Sequence, residues 1–309
     1  MRVENIKYTA GEPFDAFIGS PLKSKTGELL WILLGTGNPM SGCLRERPSN
    51  LVLAGKERVL VDCGSGTARQ LVMAGIYPSQ VNHLFFTHHH ADHNAGFLDL
   101  FHTGSFSREV PRREKPLHIY GPAGTAEIIG GMRDILRKDL ESRNAFQDPG
   151  NQLIFHEEDE GIIFKQGGLE AGIFTVDHGS IGPAAGFCFT FKGKKAVFSG
   201  DTAPCTSLLE NARGADILIH ESYSSKWIKR SGDIYSRDVE KSLEKARSKH
   251  TSTLEAADIA RQAGAGHLVL THHIPSILPV PELEKDYICG MEKIYKGSIT
   301  MGRDLMMIS

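Results

Sequence analysis

Thr87-His88-His89-His90-Ala91-Asp92-His93 is the stretch from which the fold of this chain can be read. Five potential metal ligands fall within six consecutive residues, His88 to His93. They follow directly on His83-Leu84-Phe85-Phe86, an apolar run that reads as a buried strand. A strand ending this way delivers imidazoles and a carboxylate to the edge of a sheet, where loops carry chemistry. Imidazole nitrogen and carboxylate oxygen are the usual ligands of catalytic zinc. The pattern His-x-His-x-Asp-His takes in His88, His90, Asp92 and His93 and leaves His89 as the spacer. The flanks, with Asn94-Ala95-Gly96-Phe97-Leu98 on the far side, look like folded core rather than a solvated histidine tract.

On the N-terminal side, residues 29–34 form an apolar strand ending in the tight loop Gly35-Thr36-Gly37-Asn38-Pro39. Residues 50–54 and 58–61 read as a hairpin turned by Gly55-Lys56-Glu57. The second strand ends in Asp62-Cys63-Gly64, and a helix over 67–74 is closed by Gly75. On the C-terminal side, residues 117–120 form a strand and 123–143 carry helical spacing. The turn Asp148-Pro149-Gly150-Asn151 is the expected boundary between two halves. Strands are expected near 152–156, 162–166, 169–176, 186–192 and 195–199, with short buried ones at 216–219 and 268–270. Helices are expected at 238–248, 252–263 and 281–296, the middle one opening on a Ser252-x-x-Glu255 capping box. Two sets of strands with helices outside predict an α/β chain folded as a four-layer αββα sandwich. We expect one domain over residues 1–309, with an N-terminal arm at about 1–27.

The chain has 309 residues, 40% apolar and 23% charged, with a net charge of −2. That is ordinary for a globular protein and shows no broad basic face. Neither an apolar leader core of about 7–15 residues nor an apolar run of about 18 is found, so no export signal and no membrane span are expected. Five scattered cysteines without a Cys-x-x-Cys pair read as reduced thiols, which predicts a cytoplasmic protein.

One cluster does not close a metal site, because catalytic zinc needs three or more protein ligands plus water. Three further strand ends supply candidates: Asp177-His178-Gly179, Ser199-Gly200-Asp201-Thr202 and Thr271-His272-His273. Together they favour a two-metal site. His88, His90 and His178 would hold one ion, and Asp92, His93 and His272 the other. Asp201 would bridge, since a carboxylate can give an oxygen to each cation. His272 is chosen over His273 because strand alternation sends His273 to the opposite face.

These residues resemble the metallo-β-lactamase-fold hydrolases, in the branch of ribonuclease Z and the arylsulfatase-like enzymes. The resemblance runs from about Leu33 to the C-terminus. It is carried by Leu34-Gly35-Thr36-Gly37, Asp62-Cys63-Gly64, Thr87 to His93 with Gly96, Tyr120-Gly121-Pro122, His178, Ser199-Gly200-Asp201-Thr202, His220-Glu221, His250-Thr251-Ser252-Thr253 and Thr271-His272. It implies two zinc ions on the ligands just assigned, with manganese or iron as alternatives of the same ligand type. It also implies that His250, which taken alone reads as an exposed loop residue, faces the leaving group and that Glu221 orients it. A homodimer is implied as well.

The expected reaction is hydrolysis of a small ester, an aryl sulfate or a phosphodiester, by a hydroxide bridging two metals. Asp92 would orient that hydroxide and His250 would protonate the leaving oxygen. Bacterial ribonuclease Z enzymes carry a long tRNA-gripping arm between the positions matching His178 and Asp201. Here 22 residues separate them, room for two strands and a turn. That spacing and the near-neutral charge make nucleic acid an unlikely partner on this reading. An armless tRNA 3′ endonuclease is the alternative, followed by a lactonase, amidase or hydrolytic dehalogenase on the same fold.

Overall fold

The apolar runs become strands that are buried on both faces. The computed structural model describes residues 3–5, 28–40, 42–106, 112–235 and 238–309. In β2 (Leu29–Gly35), Trp31 and Leu33 point into the core between two sheets, while Ile32 and Leu34 point to the helices outside. This is the two-residue period of a strand with both faces covered. The hairpin follows as β3 (Ser49–Ala54) and β4 (Glu57–Val61). Helix α1 (Thr67–Met73) crosses to β5 (His83–Phe85). The helices α2 (Ala91–Asn94) and α3 (Phe97–Phe106) precede β6 (Leu117–Gly121). Next come α4 (Thr125–Ile135), α5 (Arg137–Ser142) and β7 (Leu153–Glu157).

The second half repeats this plan. Strands β8 (Gly161–Gln166), β9 (Leu169–Val176), β10 (Ala184–Phe191) and β11 (Lys194–Phe198) form an antiparallel meander. Helix α6 (Thr206–Ala212) then leads to β12 (Ile217–Tyr223). The hairpin of α7 (Ser225–Tyr235) and α8 (Val239–Arg247) follows, then α9 (Thr253–Ala263) and β13 (His267–Ile274). The chain ends with α10 (Pro281–Tyr287), α11 (Met291–Ile294), β14 (Ser298–Met301) and β15 (Met306–Ile308).

One sheet has the order β1-β15-β2-β3-β4-β5-β6-β7, where β1 is Val3–Asn5; the other runs β14-β13-β12-β11-β10-β9-β8. Each is antiparallel at one end and parallel at the other, with helices on the parallel crossovers. Phe187 and Phe189 of β10 meet Phe85 and Trp31 across the gap at ring separations of 5.3 and 5.5 Å. Two further clusters lie under the outer helices, giving the expected αββα layers. Among the described residues no helix is long and apolar enough to cross a membrane. All five cysteines are free.

Several boundaries differ from expectation. The break between the halves falls after β7, one strand later than the Asp148 turn. The helix expected over 281–296 is interrupted at Gly290, whose φ of 98° is left-handed and ends a helical run. The helix expected over 123–143 is broken at Leu136. Strands β12 and β13 extend well past their expected ends, through buried polar residues. Of the N-terminal arm only β1 is described, paired with β15; residues 1–2 and 6–27 lie outside the described residues.

Candidate metal centre

The expected residues, joined by Asp62, converge at the carboxyl-terminal ends of strands from both sheets. Asp62 follows β4 and Thr87 to His93 follow β5. His178 follows β9 and Asp201 follows β11. Glu221 lies in β12, His272 in β13, and His250 between α8 and α9. Close backbone packing makes the convergence possible. A Cβ on Gly96 would collide with the Gly64 carbonyl, and one on Gly64 with the Asp92 carbonyl. Asp62 and His272 take left-handed backbone with φ of 60° and 47°, a conformation uncommon for non-glycine residues.

At His272 that conformation has a visible purpose. The β12–β13 ladder slips between Glu221 and Ser222, so that Thr271 and His273 take consecutive partners and His272 bulges out of register. The Tyr287 hydroxyl straps the bulge, donating towards the carbonyls of Ser222 and Ile274 at 2.9 and 3.0 Å and accepting from the Ile274 N–H at 2.9 Å. His272 therefore enters the cluster, while the buried His273 turns away to the Gly302 carbonyl at 3.0 Å.

The nitrogen atoms are aimed by their outer partners. Nδ1 of His178 lies 2.7 Å from the Lys249 carbonyl, which can only accept, so Nδ1 carries the proton and Nε2 offers a lone pair. His93 Nδ1 donates to Asp62 Oδ2 at 2.8 Å, and its buried Nε2 has no hydrogen-bond partner. His88 Nδ1 meets the Thr87 hydroxyl at 3.0 Å, which in turn bonds Asp62. The freed nitrogens face one another: His88 Nε2 and His178 Nε2 lie 2.9 and 3.2 Å from His90 Nδ1. Lone pairs converging at this spacing fit a cation between them.

Asp201 sits at the centre. Its Oδ2 is 3.2 Å from Nε2 of His272, 3.5 Å from His93, 3.8 Å from His178 and 4.0 Å from His88. Asp92 Oδ2 lies 3.4 Å from His272 Nε2 and 3.6 Å from His93 Nε2. Three groupings could each hold a cation, with ligand atoms within 4.8 Å of one another: His88-His90-His178, His88-His93-Asp201 and Asp92-His93-His272. His89 points away, to the Thr125 hydroxyl at 2.8 Å.

The electrostatics ask for positive charge. Burial, reinforced by the neighbouring His93, holds His88 well below its ordinary pKa, and burial takes His178 down to about 4. Burial pushes His93 down too, but Asp201, Asp62 and Asp92 outweigh it and raise the imidazole well above its ordinary value. His272 is raised, against its burial, by Asp201 and Asp92. Burial opposes ionisation of Asp201, yet His272 and His93 hold its carboxyl well below the usual range. The carboxylates thus draw protons onto His93 and His272, which a metal would displace.

Beside the ligand set, His250 Nδ1 donates to Glu221 Oε1 at 2.9 Å, and the Thr202 N–H donates to the same oxygen at 2.7 Å. His250 is not the exposed loop residue that its position between helices suggests; its side chain is 13% exposed and lines the cleft. The cleft of about 480 Å³ is walled by Pro39, Met40, Ile228, Ile274 and Pro275 above the Asp92, Asp201 and His272 floor. Ile228, Ser231 and Gly232 of helix α7 also line it. Asp62 was absent from the expected site, although as a carboxylate at a strand end it carries the signal that marks the others. Asp62→Asn is expected to lower metal affinity about 10–100-fold while the protein stays folded. Chelator competition measures this, and unchanged affinity would reduce Asp62 to an anchor for the Thr87 backbone.

Residues 57–273 match the beta-lactamase superfamily domain. Ribonuclease Z of Mycobacterium marinum is 33% identical over 276 residues, covering 88% of this chain and 95% of the relative. Among solved structures, the metallo-beta-lactamase fold protein YhfI from Bacillus subtilis superposes with a TM-score of 0.67 at 19% identity, covering 91% of this chain and 98% of the other. Human tRNase Z, short form, superposes with a TM-score of 0.63 at 22% identity over the same shares. The chain belongs to the beta-lactamase superfamily, as a metallo-β-lactamase-fold hydrolase. The expectation that nucleic acid is an unlikely partner is overturned by the ribonuclease Z relatives, which are related along nearly their whole length. Net charge and loop length average over the surface and do not report on the cleft.

Proposed function

We propose that this chain is a dinuclear metal-dependent phosphodiester hydrolase that cuts RNA, as a tRNA 3′ endonuclease of the ribonuclease Z type. The observation that carries this reading is the convergence of seven His and Asp side chains that could hold metal, with the His250–Glu221 pair beside them, in a chain one-third identical to ribonuclease Z. The aryl-ester reading favoured from sequence yields to its alternative on that relationship. His88, His90 and His178 would hold one ion, Asp92, His93 and His272 the other, and Asp201 both. Residue type favours zinc. When bound, the metals lower the pKa of water to about 7 and screen charge on the phosphate.

The chain's own residues do the rest. Asp92, at the N-terminus of α2, orients the attacking oxygen. Glu221 fixes the His250 ring through Nδ1, leaving Nε2 to give its proton to the departing ribose oxygen.

The metal-loaded protein should be assayed on a tRNA precursor with a 3′ trailer and on an aryl sulfate. We expect cleavage of the precursor at its 3′ side and no sulfate release. Sulfate release with the precursor left intact would reverse the assignment. Elemental analysis should find up to two metal ions per chain; under half an equivalent, with no activation on adding zinc, would remove the dinuclear basis.

A further inference from the structure

We infer that the α7–α8 hairpin is the phosphate-gripping wall of the cleft, with Lys245 and Lys249 binding backbone phosphates of an RNA strand that flank the scissile one. The identity of the strand rests on the ribonuclease reading; the grip rests on the cleft itself. Residues 225–249 hold eight Lys and Arg against four Asp and Glu, in a chain of net charge −2. Two of these cations are engaged elsewhere: Lys226 pairs with Asp286, and Arg230 lies over the Trp227 ring at 4.9 Å. Lys245 and Lys249 line the cleft, and among the described residues neither has an ion-pair partner.

Their placement relative to the reacting centre is fixed. The four-residue spacing puts both on one side of the helical turn that ends α8, where the His250 N–H still bonds the Ala246 carbonyl at 2.8 Å. The Lys249 carbonyl holds His178 Nδ1, and the next residue is His250. The Ser231 and Ser242 side chains lie on the same wall. Pro39, Met40, Ile274 and Pro275 add apolar lining that suits the face of a base. The carboxylates lining the cleft are Asp92 and Asp201, both assigned to metal. The cleft thus combines the carboxylate and imidazole floor, apolar lining and two lysines. An isolated aryl ester would occupy the first two and leave the lysines unused, whereas a polynucleotide brings neighbouring phosphates to them.

The plain structural role for these lysines is to complement the dipole at the end of α8, which would leave RNA affinity unchanged. Fluorescence anisotropy of a labelled RNA hairpin with a single-stranded 3′ tail separates the two. K245A/K249A is compared with K138A/K293A, which removes the same charge from exposed positions on α5 and α11. We expect the cleft variant to bind about 10–100-fold more weakly and to lower the slope of log K against log salt by about 1.4, at about 0.7 for each of two single-strand phosphates. Melting temperature and metal content should match the wild type.

Equal losses in both variants would reduce the effect to net charge and overturn the grip. Undiminished binding by K245A/K249A while the wild type cuts RNA would overturn the grip and keep the ribonuclease reading. Lysine-dependent binding of an RNA that is never cut would keep the grip and remove that reading. A wild type that does not bind the hairpin would overturn both.

Discussion

Asp201→Ala should abolish hydrolysis and empty one or both metal positions while the protein stays folded. Its Oδ2 lies within 4.0 Å of imidazoles from both proposed metal positions. Removing it takes a shared ligand from both ions and leaves His93 and His272 without their strongest counter-charge. Metal stabilisation of a transition state amounts to several kcal/mol. At about 1.36 kcal/mol per decade, the rate should fall by roughly 10³ or more. The fold should survive because the turn after β11 is set by the left-handed Gly200, with a φ of 61°, and by the buried Ser199 and Thr202, none of which needs the carboxylate. Circular dichroism, elemental analysis and turnover measured on one preparation give the test. An active, metal-replete variant would remove Asp201 from the bridging position. By the same geometry His272→Ala should be severe and His273→Ala mild in metal content, since His273 bonds Gly302 outside the cluster.

The second large effect separates proton transfer from metal binding. His250→Ala is expected to keep its metal and fold and to lose roughly 10²–10⁴ in rate on a diester with a poor leaving group. With nitrophenolate, which departs without a proton, the loss should be far smaller. Glu221→Gln should show the same trend more weakly, because the Nδ1 contact would persist without its charge. Two further groupings, His178-Asp201-His250 and Glu221-His250-His272, also bring ligand atoms within 4.8 Å, so metal content is the decisive second readout. A uniform loss across leaving groups, or a loss of metal, would recast His250 as a ligand.

The site was more legible in the sequence than the frame around it, and the reason is local. Catalytic ligands sit where an apolar run stops, and that junction survives in the sequence even when its three-dimensional neighbours are unknown. The same rule left Glu221 to the family resemblance and cut the expected β12 short. A strand that continues through His220-Glu221 looks finished at Ile219, because burial of those polar groups depends on partners such as Thr202 and His250 far along the chain. The short strands β1, β14 and β15 are three or four residues long and carry no period to read. Helix α7 went unread because its segment, Ser225 to Tyr235, mixes lysines, a glycine and isolated apolar residues; its side facing the cleft becomes evident only when Ile228 is seen there. The preference for His272 over His273 matches the geometry for a reason alternation alone does not supply, since the strand is bulged at that point.

The division of the ligands between two sheets also makes the proposed metals a clasp. His88, His90, Asp92 and His93 hang from one sheet, and His178, Asp201 and His272 from the other. An ion gripped from both sides can be held only while the sheets are closed on each other, so each occupied position weighs against their separation. At a free metal concentration about 100 times the dissociation constant, this coupling contributes about 2.7 kcal/mol per site. Stripping the metal should therefore lower the melting temperature and loosen the Trp31–Phe189 seam between the layers, so that amide exchange rises there as well as in the loops of the centre.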